Sequence, residues 1–254
     1  MNKPWLHYYD SYVPESIDYP EKSMYELVKE TSDTYPNHTA YVFLGKGCTY
    51  KNFIADIDHV AAVLHDKGLK KDDRITLCMP NIPSALIAFY AINKIGAVAS
   101  MIHPLSTAKE IEYYLNLSES TWAMTLDAFY PNFNEIIDNT KVNKIIIARL
   151  TDYLSPIKGF LFKRTKGRKI KKIPDSEKNI FWKNILKTKS TTTIQSDHYI
   201  KEMAVILYSG GTTGNPKGIM LSSLNINALA TQIKYVGPMK PIDKMLSILP
   251  VFHG

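Results

Sequence analysis

Cysteine is nearly absent from this sequence: Cys48 and Cys78 are the only two in 254 residues. Neither has metal-ligand spacing, so no metal site is assigned, and both read as small core residues in a reducing compartment. Long apolar runs are missing too, since none approaches the roughly 20 residues of a membrane span. The first twenty residues, rich in tyrosine and proline, lack the apolar core of a signal peptide. The expected location is cytoplasmic. Acidic residues are missing from one stretch, 153–174, which holds eight basic ones: Lys158, Lys163, Arg164, Lys166, Arg168, Lys169, Lys171 and Lys172. The whole chain carries +7, so everything outside this stretch sums to −1. The positive charge is local, which argues against a nucleic-acid protein with a broadly basic surface. With 45% hydrophobic and 22% charged residues, the chain has the makings of an ordinary soluble globular protein.

What is present is an alternation of helix and strand signals. Ser23-x-x-Glu26 and Thr107-x-x-Glu110 are capping boxes, and Thr49 opens a helix with an apolar stripe at Phe53, Ile57, Val60, Ala61 and Leu64. Gly68 and Gly96 are stop signals. The helix over 84–95 is apolar on nearly every side and is expected to be buried. Between the helices lie short apolar runs at 41–44, 75–79, 98–102, 122–126 and 145–148. Strands spaced by helices predict an α/β fold, a mostly parallel βαβ sheet with helices on both faces.

The densest chemistry lies in Tyr208-Ser209-Gly210-Gly211-Thr212-Thr213-Gly214-Asn215-Pro216-Lys217-Gly218, flanked by the apolar runs 204–207 and 219–221. Those flanks predict a loop between two strands. Glycines let backbone N–H groups approach an anion closely, and the hydroxyls and Lys217, read as lying near the loop tip, add donors and charge. The stretch has the makings of a polyphosphate cradle. It is not a Walker loop, because Pro216 precedes the lysine, Gly218 follows it, and a strand-like run comes next.

Residues 209–218 resemble the signature of the adenylate-forming superfamily, roughly [ST]-[SG]-G-[ST]-T-G-x-P-K-G, throughout. Gly68 to Asn81 and Lys94 to Leu105 resemble further segments of acyl-CoA synthetases, with Asp72 where that family usually has glycine and His103 where it usually has asparagine. Asn81 and His103 are read as stabilising loop ends. The last residues, 247–254, resemble the family's next motif, cut after its histidine. The resemblance covers about residues 20–254 and is nearest to long-chain fatty acid–CoA ligases.

The resemblance implies a two-step reaction: a carboxylate attacks Mg-ATP to give an acyl-adenylate and pyrophosphate, and coenzyme A then takes the acyl group. ATP, Mg2+ and coenzyme A are the implied cofactors, and a carboxylic acid is the implied substrate. Ser209, Gly210, Gly211, Thr212, Thr213, Gly214 and Lys217 would hold the phosphates, and His253 would border the acyl pocket. No protein nucleophile is assigned. The implied layout is an N-terminal α/β subdomain over 1–200 with a basic insertion at 153–174, then the start of a second subdomain over 201–254. The family's C-terminal half and lid would follow Gly254, so the chain alone is expected to be inactive. The insertion is expected to be exposed and mobile, either simply solvated or in peripheral contact with the inner membrane face. The alternatives are a peptide-synthetase adenylation domain, an aryl-CoA ligase, or a non-catalytic chain that binds nucleotide or membrane.

Overall fold

The computed structural model describes residues 3–196, 200–210, 216–237 and 239–252. Helix α1 (Met24–Thr34) starts at the Ser23 box, where Ser23 N–H donates to Glu26 Oε2 at 2.6 Å. Strands β1 (Thr39–Phe43) and β2 (Lys46–Thr49) form a small antiparallel hairpin, turned at Leu44 and Gly45. Thr49 then caps α2 (Tyr50–Asp66) as expected.

From there the chain builds the main sheet. Strand β3 (Arg74–Cys78) leads to the buried helix α3 (Pro83–Ile95), which Gly96 ends in the left-handed conformation at φ 81°. Strand β4 (Val98–Met101), the Thr107-capped α4 (Ala108–Ser118), β5 (Trp122–Leu126), α5 (Tyr130–Ile136) and β6 (Lys144–Ala148) follow. Next come α6 (Pro156–Arg164), β7 (Asn179–Phe181), α7 (Trp182–Ile185), β8 (Met203–Ser209), β9 (Lys217–Ser222) and α8 (Ser223–Val236). The sheet order is β7-β6-β5-β3-β4-β8-β9; every neighbour pair is parallel except β8 with β9. Strand β8 hydrogen-bonds to β4, so residues on either side of 200 share one sheet.

Because side chains alternate along a strand, each strand feeds two cores. Trp122, Met124, Ile146 and Ala148 face a cluster with α1, α2, α3 and α7. Ala123, Ile145, Ile147 and Cys78 face α4 and α5 on the other side. The α/β sheet with helices on both faces is thus as the alternation predicts. Asp72, where the resembling family usually has glycine, sits at φ 64°. Aspartate is one of the few side chains that tolerate that conformation.

The basic stretch carries structure that its charge does not announce: residues 156–164 form α6, and its two ends are anchored. Before the helix, the Tyr153 ring packs edge-on against Phe43 and its burial pushes the hydroxyl up to about 12. After it, Ile173 is buried beneath the α4–α5 face. The charge pattern shows the exposed middle but not these anchors.

Candidate functional site

Parallel strands place all their carboxyl ends on one edge, and in open α/β sheets ligands bind there. The candidate loop leaves the carboxyl end of β8 and returns as β9, with Ser209 paired to Lys217 across the ladder. The two flanking apolar runs are therefore strands, as the sequence predicts. Lys217, however, is the first residue of the returning strand and stands at the stem of the loop, not near its tip. It is exposed, Ser209 is half-buried, and Gly210 is exposed with open space around its Cα. Gly211, Thr212, Thr213 and Gly214 lie outside the described residues, as does His253.

The stem is tightly fitted. A Cβ on Gly218 would stand 3.2 Å from Cγ2 of Ile206 and 3.5 Å from Cε1 of Tyr208. A side chain here would require Ile206 to give by a few tenths of an ångström. The Tyr208 hydroxyl lies 2.8 Å from Ser100 Oγ on β4 and donates to the Tyr114 carbonyl at 3.4 Å. Burial, before any other cause, raises its pKa above the ordinary tyrosine value. It is a neutral hydrogen-bonding group at the loop's entry. At the exit, Tyr113 Oη donates to the Pro216 carbonyl at 2.9 Å. Sequence reasoning passes over Tyr113, because one hydroxyl on an amphipathic helix carries no local signal of a partner about a hundred residues away.

Asn81 reaches beyond its own loop: its Nδ2 donates to the carbonyls of Ser247 at 3.2 Å and Leu249 at 2.7 Å. Its Oδ1 accepts from Val251 N–H at 3.0 Å. One amide thus holds the 247–251 segment over the exit of β3. His103 does brace its own loop, as its Nδ1 accepts from Leu105 N–H at 3.0 Å, and its ring packs on Phe252 at 4.7 Å. The β8–β9–α8 unit is joined to the rest by buried polar contacts, Asn93 Nδ2 to Ser223 Oγ at 3.1 Å and Asn227 Nδ2 to the Lys22 carbonyl at 2.8 Å. The loop stem, Asn81 and His103 therefore cluster at the carboxyl edge on a fixed frame. Among the described residues, no three His, Cys, Asp or Glu side chains are placed to hold a metal ion.

The sequence matches known proteins along nearly its whole length. The family of AMP-binding enzymes matches residues 28–254. A long-chain-fatty-acid–CoA ligase of Bacillus subtilis (strain 168) is 31% identical over 256 residues, covering 99% of this chain and 46% of that protein. One from Salmonella typhimurium (strain LT2) is also 31% identical, over 266 residues, covering all of this chain and 46% of its own length. The chain spans about half the length of the curated relatives it matches. Among solved structures, a long-chain-fatty-acid-CoA ligase from Archaeoglobus fulgidus superposes with a TM-score of 0.76 at 22% identity. That match covers 94% of this chain and 44% of the other, and it bears on the fold alone.

Proposed function

The chain belongs to the AMP-binding enzyme family, and on that premise we propose that it is the N-terminal part of an ATP-dependent carboxylate-activating enzyme, a fatty acid–CoA ligase. The observation that carries the proposal is the loop 209–218, dense in glycine and hydroxyls, at the carboxyl edge of the parallel sheet. The names of the relatives support a long-chain fatty acid as the acid.

The reaction joins a carboxylate oxygen to the α-phosphorus of ATP and expels pyrophosphate; the thiol of coenzyme A then displaces AMP from the acyl carbon. Such chemistry asks a protein for positioning and charge neutralisation more than for a nucleophile. Ser209 and Lys217 at the stem, with Gly210, Gly211, Thr212, Thr213 and Gly214, would hold the β- and γ-phosphates and the departing pyrophosphate. Each charge-assisted hydrogen bond contributes about 1.5–3 kcal/mol. Mg2+ would offset the triphosphate charge when bound, with ligands from outside the described residues. His253, just past the segment held by Asn81, would border the acyl chain. The second subdomain would start with β8 and grow from the β9 edge.

The test is direct. Purified 1–254 is expected to form no acyl-CoA, whereas a protein of the relatives' full length is expected to form it from fatty acid, ATP and coenzyme A. Thioester formation by 1–254 alone would refute the reading as a part. Activation of amino acids by the full-length protein would favour a peptide-synthetase domain instead.

The proposal includes peripheral contact with an anionic membrane through α6. Ile157, Phe160 and Leu161 lie on one face of the helix and are 75, 55 and 56% exposed. Arg164, one turn on, lies over the Phe160 ring at 4.4 Å, and Arg168, Lys171 and Lys172 are exposed beyond it. An apolar face turned to water beside cations suits the headgroup region, where each basic residue adds about 1 kcal/mol. Among the described residues no helix is long and apolar enough to cross a membrane. The chain is expected to sediment with vesicles rich in phosphatidylglycerol and to be released by salt. Phe160→Glu with Leu161→Glu should weaken that binding at least about tenfold, given an ordinary burial value of about 1.5–3 kcal/mol per large apolar side chain. Failure of the native chain to sediment would leave α6 as a solvated helix.

A further inference from the structure

The loop's two stems are held by two consecutive residues of one helix. Tyr114 meets the entry: its ring lies 4.4 Å from the Tyr208 ring, and its carbonyl accepts from the Tyr208 hydroxyl. Tyr113 meets the exit, donating to the carbonyl of Pro216, the residue immediately before Lys217. Successive positions on a helix point about 100° apart, so neighbours can straddle a hairpin mouth where residues i and i+4 could not. Helix α4 is a firm base for such a grip. Its first turn is closed by the Thr107–Glu110 box, and Ile111 and Leu115 are buried in the core beneath it.

Resting on the phosphate reading of this loop, we propose that Tyr113 is a positioning residue that fixes where Lys217 enters the phosphate site. Pro216 has no N–H, so its carbonyl is the one backbone polar group it offers for a fixed contact. With that carbonyl held, the peptide joining Pro216 to Lys217 is oriented, and with it the start of the lysine side chain. Without the tyrosine hydroxyl, the exit stem is left to the Ser209–Lys217 pairing at the very end of the ladder. Placement errors of about an ångström at a catalytic group cost rate even when nothing else in the fold changes. The Tyr113 ring is held separately, edge-on to Tyr114 at 5.7 Å. The hydroxyl alone does the positioning.

Tyr113→Phe removes that hydroxyl and keeps the ring, so it separates the two roles. In the full-length enzyme it is expected to slow acyl-adenylate formation by about three- to tenfold, the worth of one hydrogen bond. The melting temperature should stay within about 2 °C, as for a surface-type change. Transfer of the acyl group from supplied acyl-adenylate to coenzyme A should be unchanged, because pyrophosphate is no longer present to be positioned. Lys217→Ala, measured beside it, distinguishes the role of the tyrosine from that of the loop. Slowed adenylation in Lys217→Ala with none in Tyr113→Phe would overturn the role of Tyr113 alone. Unaffected adenylation in Lys217→Ala would overturn the phosphate reading and the positioning role with it. Equal losses in both half-reactions of Tyr113→Phe, or a fall in melting temperature, would show that the hydroxyl serves only the fold.

Discussion

Lys217→Ala in the full-length enzyme is expected to slow acyl-adenylate formation by about 100-fold, the usual order for loss of one electrostatic stabiliser of a transition state. Charge builds on the bridging and terminal oxygens as pyrophosphate leaves, and a lysine ammonium is a compact charge that can meet it. The same change should barely touch stability. Lys217 is exposed and none of the ion pairs among the described residues includes it. Substitutions at such sites stay within about 0.5 kcal/mol. Comparing the half-reactions decides the matter, since thioester formation from supplied acyl-adenylate should keep most of its rate. A mutant slowed equally in both would mean that the stem lysine shapes the sheet edge and does not act on phosphate. Thr213→Ala, within the part of the loop outside the described residues, should act in the same direction.

The largest loss of stability is expected from a residue far from the loop. Trp182 is fully buried on the four-residue helix α7, which packs against α2, β6 and β7. Removing an aromatic ring of this size from a core costs about 3–5 kcal/mol, a large share of the roughly 5–15 kcal/mol typical of a domain. Trp182→Ala should shift the urea midpoint of the chain accordingly. Trp182→Phe should cost under half as much, because it keeps a ring in the core and leaves a much smaller cavity. A loss below about 1 kcal/mol for the alanine mutant, far short of the usual cost of such a cavity, would mean that α7 is only laid on the sheet. The Tyr153 hydroxyl and Ser84 Oγ are buried at the same joint.

Local chemistry is legible in the sequence wherever the cause is local. Ser23, Thr107 and Thr49 cap the helices their spacing announces, and Gly96 takes the left-handed conformation a stop signal needs. The buried helix α3 and the strand at 122–126 follow from apolar pattern alone. What escapes are features with distant causes. Helix α7 has four residues, too few for any period to register. The burial of Ile173 comes from the apolar cluster it joins under α4 and α5, not from the cations around it. Asn81 looks like a loop-end residue because its partners lie beyond position 246. Composition picks out the loop as the candidate site, but it sets the lysine too far out. Only the pairing of Ser209 with Lys217 shows that the strand resumes there.

The parallel pairing of β4 with β8 carries a consequence for synthesis on the ribosome. Ala99 waits for Val205, about a hundred residues later in the chain. At about 5–20 residues per second, roughly 5–20 s separate the emergence of the two strands. Throughout that interval β4 has β3 on one side and nothing on the other. Its open row of N–H and C=O groups, in a strand whose four residues all end up buried, can template pairing with another nascent chain. Substrate cannot shorten this exposure, because the loop that would hold phosphate is made only when β8 and β9 arrive. Nucleotide therefore cannot protect the open edge of β4 during that interval.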